Sequence, residues 1–171
     1  MNLEDHIRDI PDFPKEGIIF KDITTLIGHA DAFRASLDQL QARFVDTGAT
    51  AVVALEARGY IFGAPLADRM GIRFVPVRKP GKLPADTIQQ DYDLEYGSNT
   101  LEIHRDALMD GEKVLIIDDL IATGGSAAAT VTLVEKLGAK VVGFGAIIEL
   151  AFLEGRTKLN GVPVESLLIY E

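Results

Sequence analysis

The sequence predicts an α/β chain: a mostly parallel central sheet with helices on both faces. Three observations support this. Short, nearly continuous apolar runs recur at 51–55, 72–77, 114–117, 140–148 and 164–169, the pattern of strands buried on both faces. Helix-forming segments alternate with several of these runs, as a parallel sheet with crossover helices requires. At two strand ends, EARG and DDLIATGGS, a turn rich in small residues opens a helix. Open α/β sheets bind ligands at that carboxyl edge.

Composition narrows the class. With 171 residues and 47% apolar content, the chain can form one domain with a true core, so a single unit over 1–171 is expected. No run is long enough to span a bilayer. There is no cysteine, which removes disulfides, thiolate nucleophiles and thiolate metal sites. MNLEDHIRDI lacks the apolar centre of a signal peptide, and the cytoplasm is the expected location. A net charge of −9 argues against a nucleic-acid partner, which needs a basic face.

In chain order, Asn2 to Asp9 reads as a short amphipathic helix with Leu3, Ile7 and Ile10 on one side, broken by Pro11 and Pro14. PDFPKEGIIFKD is a stiff, irregular segment. Its Phe20 is either a core aromatic or, given charged Lys21 and Asp22 beside it, a surface for a flat ring. Asp31 to Asp46 predicts a helix capped by Asp31, with Phe33, Leu37, Leu40 and Phe44 on one face and Gly48 past its end. Strand 51–55 leads to Arg58 beside Gly59, where backbone can approach an anion. After strand 72–77 come Arg78, Lys79 and Lys82, a basic cluster in an acidic chain. They begin an extended segment without helical periodicity that predicts a lid on two arms, about 78–97. Thr100 to Ile103 alternates as a strand. His6, His29 and His104 have no metal-ligand spacing and read as structural or surface residues.

Lys113 to Val131 organises the rest. Val114–Ile117 predicts a buried strand ending at Asp118 and Asp119. Two glycines and two hydroxyls follow, then a strong helix former. The helix N-terminus offers partial positive charge and unpaired N–H groups to a phosphate. Paired carboxylates at a buried strand end repel and lose hydration unless sugar hydroxyls or a metal satisfy them. Singly, each feature is equally consistent with a turn or cap. Neither GxxxxGK[ST] nor a first-strand GxGxxG is present. The helix is expected to stop at Gly138. Gly143 and Gly145 within the next run read as close packing. Phe152 to Leu159 reads as a short helical turn, and 164–169 as the last strand.

DDLIATGGS closely resembles the phosphoribosyl-diphosphate (PRPP) motif of the type I phosphoribosyltransferases, in the form found in their adenine-specific members. GIIFKD, EARG and YxLEYG are similar to that branch's N-terminal hood (mainly 1–30), diphosphate loop and flexible catalytic loop. The resemblance covers nearly the whole chain. It implies that adenine and PRPP give AMP and diphosphate, a purine-salvage reaction. Asp118 and Asp119 would bind the ribose hydroxyls, and Ala122, Thr123, Gly124, Gly125 and Ser126 the 5′-phosphate. Glu56, Ala57, Arg58 and Gly59, with Arg78, Lys79 and Lys82, would hold diphosphate, and a cis peptide is expected near Glu56–Ala57. Phe20 would stack on adenine while main-chain groups of Ile19 and Lys21 read its edge. Glu95 would handle a proton on the base and Arg58 would assist. Mg²⁺ would be held through substrate with no direct protein ligand, and a homodimer is implied. Two alternatives stand beside this reading. One is a 6-oxopurine transferase of the same fold, whose members usually carry an Asp where Ala122 stands. The other is a regulator that binds PRPP or a nucleotide without turnover.

Overall fold

The computed structural model describes residues 1–94 and 96–171. Leu3–His6 is a 3-10 turn capped by Asn2. It is followed by strand β1 (Arg8–Ile10), which pairs antiparallel with β2 (Phe20–Asp22). The expected N-terminal helix is therefore shorter, because residues 8–10 are drawn into a hairpin. Arg8 anchors that hairpin by donating to Asp22 Oδ2 from Nη2 (2.6 Å). The Thr24 hydroxyl and N–H first, and then Arg8, hold the Asp22 carboxyl down at about 2.

Helices α1 (Thr24–Ile27) and α2 (Ala30–Phe44) follow. The cap of α2 is His29, not Asp31: its Nδ1 accepts from the Ala32 N–H at 3.3 Å. His29 has the extended backbone a cap requires, whereas Asp31 lies inside the first turn and pairs with Arg34 at 2.9 Å. Strand β3 (Ala51–Leu55) is buried throughout, as its five apolar residues demand. Helix α3 (Arg58–Met70) ends at Gly71, whose left-handed φ of 66° closes it. Strand β4 (Arg73–Val77) comes next, then a long antiparallel hairpin of β5 (Thr87–Asp93) and β6 (Ser98–His104). Strand β5 falls within the segment 78–97 that the sequence reads as extended, and β6 contains the strand expected at Thr100 to Ile103. Strand β7 (Lys113–Ile121), helix α4 (Gly125–Lys136), strand β8 (Lys140–Leu150), 3-10 turns at Ala151–Leu153 and Gly155–Leu159, and strand β9 (Val164–Tyr170) complete the chain.

The central sheet has five strands in the order β4-β3-β7-β8-β9, all parallel. Its side chains alternate between two cores. Val53, Leu55, Val114 and Ile116 face a core shared with α4 (Leu133, Val134) and the hairpin (Leu101, Ile103). Val52, Leu115 and Ile117 face α2 and α3 through Leu40, Phe44, Phe62 and Leu66. The Phe44 ring lies against β8 where a Cβ on Gly143 or Gly145 would fall only 2.8 or 2.7 Å from it. Both glycines are therefore packing residues, as the sequence suggested.

Candidate active site

Strand β7 does not end at the acidic pair. Its pairing with β8 continues through Leu120–Ile148 to Ile121–Glu149, while its pairing with β3 stops at Ile117. The apolar run 114–117 marks only the part flanked on both sides. Asp118 and Asp119 thus lie on a strand held by β8 but open on the β3 side. Asp119 is buried (5% exposed), and its N–H donates to Asp118 Oδ1 at 2.9 Å. Burial first, then the negative charge of Asp119, push the Asp118 carboxyl well above the usual carboxylate range.

The ends of β3 and β7 and the start of α4 enclose a cavity of about 400 Å³. It is lined by Glu56, Ala57 and Arg58 on one side and by Asp118 and Asp119 below. Ala122, Thr123, Gly124 and Ser126 form the far wall, and Lys79 and Tyr92 come from the hairpin side. Arg58 opens α3 and its Nε meets Asp119 Oδ2 at 2.7 Å. The Glu56–Ala57 peptide is cis. Helix α4 begins after Gly124, which has φ 81° and makes no side-chain cap bond. The N–H groups of its first turn therefore have no side-chain partner at the cap and suit an anion.

Most of the predicted site residues converge here, but not all. Gly59 lies beneath the cavity: a Cβ on it would stand 3.0 Å from Asp118 Oδ1 and from the Ile117 carbonyl, so its smallness lets α3 approach β7. Gly125 sits under the Tyr92 ring, 3.2 Å from where its Cβ would be. Arg78 is engaged by Glu56, donating from Nε to Oε1 at 3.1 Å, and the Lys79 N–H donates to the same oxygen at 2.8 Å. Of the three lid cations only Lys79 lines the cavity; Lys82 is exposed away from it. Phe20 lies outside the lining, yet its ring centroid is 5.8 Å from the Arg58 guanidinium carbon. Ile19 is exposed, and Lys21 Nζ pairs with Asp9 at 2.7 Å. Glu95 lies outside the described residues. Tyr92 and Leu101 were not foreseen in the lining, since nothing local in an alternating strand marks which residue reaches a site.

A parallel sheet whose central strand carries paired acids into a phosphate-suited turn is the architecture of a phosphoribosyltransferase. Residues 26–160 match the family described as phosphoribosyl transferase domain. The chain is 59% identical over 168 residues to the adenine phosphoribosyltransferase of Solidesulfovibrio magneticus, covering 98% of each chain. Its fold matches the crystal structure of adenine phosphoribosyltransferase from Thermoanaerobacter pseudethanolicus with a TM-score of 0.96, 50% identity and 98% of each chain covered. The Saccharomyces cerevisiae enzyme, complexed with an imino-altritol bisphosphate and adenine, matches with a TM-score of 0.92 and 43% identity, over 97% of this chain and 96% of that one. The chain belongs to the adenine phosphoribosyltransferase family.

Proposed function

We propose that this chain transfers the 5-phosphoribosyl group from PRPP to adenine, releasing diphosphate and leaving AMP. The observation that carries the reading is the single cavity joining the acidic pair, the first turn of α4 and Arg58. Asp118 and Asp119 accept hydrogen bonds from the ribose hydroxyls, which relieves two crowded carboxylates. The amides at Thr123–Ser126 take the 5′-phosphate. Glu56–Gly59 and Lys79 hold the diphosphate end. Displacement at the anomeric carbon develops oxocarbenium character, so the protein's contribution is positioning and charge management. The β5–β6 hairpin, whose Tyr92 and Leu101 line the cavity, shields that carbon from water.

The acidic pair also suits Mg²⁺ delivered with the substrate. Asp119 is already engaged by Arg58, and among the described residues no group of three or more possible ligands gathers to cage a metal. A hard cation taking its oxygens from the ribose hydroxyls and the diphosphate fits beside that pair with no direct protein ligand, and when bound it would neutralise the leaving group.

For the base, we assign Phe20 the stacking surface and the main chain of Ile19 and Lys21 the reading of its edge. The Ile18 carbonyl accepts from the Phe13 N–H at 3.1 Å. Ile19 and Lys21 flank Phe20 at the start of β2, so their main-chain groups lie one step to either side of the stacking ring. Glu95 is assigned the proton on the base. Among the described residues no helix is long and apolar enough to cross a membrane. A cytoplasmic homodimer is the proposed setting, with exposed Lys82, which lies outside the cavity lining, reaching a neighbouring subunit's diphosphate. Diphosphate release assayed with PRPP and adenine, hypoxanthine or guanine in turn tests the whole reading. Release with adenine is expected, since Ala122 can donate no proton to a 6-oxopurine. Release only with the 6-oxopurines would move the substrate, and none with any base would indicate a binding protein.

A further inference from the structure

We propose that Glu149, Gly155 and Arg156 are positioning residues for the 5′-phosphate loop: the pair between buried Glu149 and half-exposed Arg156 pins the turn that carries Gly155, and the Gly155 backbone fixes Ala122–Gly124. This rests on the phosphoribosyl-transfer reading above.

Gly155 opens the 3-10 turn Gly155–Leu159 and is buried. A Cβ on it would stand 2.2 Å from the Ala122 carbonyl oxygen and 2.9 Å from the Gly124 nitrogen. A Cβ on Gly124 would in turn stand 2.2 Å from the Gly155 carbonyl oxygen. Two backbones therefore touch directly, with no room for a side chain on either. Gly124 also needs glycine for its φ of 81°. Gly155 has no positive φ, so close approach alone accounts for it.

The next residue ties this turn to the sheet. Arg156 donates from Nε to Glu149 Oε1 at 2.6 Å and from Nη2 to Oε2 at 2.5 Å, and Ser166 Oγ donates to Oε2 at 2.7 Å. Glu149 is 3% exposed and lies in register with Ile121, the last residue of β7 before the loop. A planar two-pronged grip fixes direction as well as distance. Glu149 thus stands beside the strand end from which the loop departs, through the β7–β8 pairing, while its carboxylate grips the turn on which the loop rests. None of the three residues lines the cavity, so they act through the loop and not on substrate.

The test is steady-state kinetics with PRPP and adenine varied separately, beside thermal unfolding, on Gly155→Ala, Arg156→Met, Arg156→Lys and Glu149→Gln. A displacement of about 1 Å in a positioning element costs up to ~100-fold. We expect KM for PRPP to rise about tenfold or more in Gly155→Ala and Arg156→Met, with KM for adenine held within about twofold. Arg156→Lys keeps the charge but loses the fork and should fall between. If Gly155→Ala does not fold, Glu149→Gln carries the comparison. Folded variants with PRPP KM unmoved, or with both KM values and kcat shifting in step with the melting temperature, would overturn the inference. A wild-type protein that makes no AMP would overturn the transfer reading itself, whereas an active wild type with unaffected variants overturns this inference alone.

Discussion

Arg58→Ala removes the guanidinium whose Nε lies 2.7 Å from Asp119 Oδ2. The Arg58 side chain is 53% exposed, so the pair is partly screened by water. Two unit charges 2.7 Å apart attract by about 1.5 kcal/mol at the dielectric of water. Ordering a long side chain offsets part of that, leaving about 1 kcal/mol of stability. For a chain of this length the melting temperature should fall by roughly 2–4 °C. Turnover should suffer more, because the proposed reaction sets the same guanidinium where charge builds on the departing diphosphate. Loss of one preorganised donor at such a position lowers kcat by about 10²–10³. Initial rates of AMP formation at saturating adenine and PRPP, measured beside differential scanning calorimetry, give both quantities. Activity within about twofold of wild type would remove Arg58 from the mechanism. Equal collapse of activity and melting temperature would make it a structural residue.

Three further outcomes follow from the same geometry, and a fourth from the motif that contains Glu95. Asp118→Asn should abolish PRPP binding yet raise the melting temperature at pH 7. The folded carboxyl is raised above its unfolded value, so wild-type stability falls as pH rises through that interval, and calorimetry should show the variant's gain vanish as pH drops toward 4. Phe20→Ala should raise KM for adenine by about 10- to 100-fold, the worth of base–aromatic stacking, with KM for PRPP unchanged in the same assays. Phe44→Ala empties the slot against Gly143 and Gly145 and should destabilise by about 3–5 kcal/mol in denaturant unfolding, with the rate of the folded protein retained. Glu95→Gln should lower kcat by about 10² or more without weakening PRPP binding, read by single-turnover kinetics and equilibrium binding.

Burial pattern and glycine placement made much of this fold legible in the sequence. Residues 51–55 were readable as β3 because a strand buried on both faces has no polar interruption. Gly143 and Gly145 signalled close packing before Phe44 was seen to be their neighbour. The end of β7 was misplaced because the apolar run stops where β3 stops pairing, while β8 carries the strand on to Ile121. The sequence does not mark His29 as a cap, because an imidazole nitrogen is a less frequent acceptor there than a carboxylate. In the site, the acidic pair and the turn after it were visible as a contiguous motif. Gly155 and the Glu149–Arg156 pair were not, since a glycine in a short turn and an ion pair across separate elements leave no local pattern. Arg78 was expected at the diphosphate with Lys79. Its capture by Glu56 is a tertiary contact between residues 22 positions apart that charge counting could not separate.

A crystal structure with AMP bound would test the central assignment most directly. The 5′-phosphate should rest against the main-chain N–H groups of Thr123 to Ser126, the ribose hydroxyls against Asp118 and Asp119, and the base beside Phe20. A nucleotide seated elsewhere, or seated here with its phosphate away from the start of α4, would contradict the account.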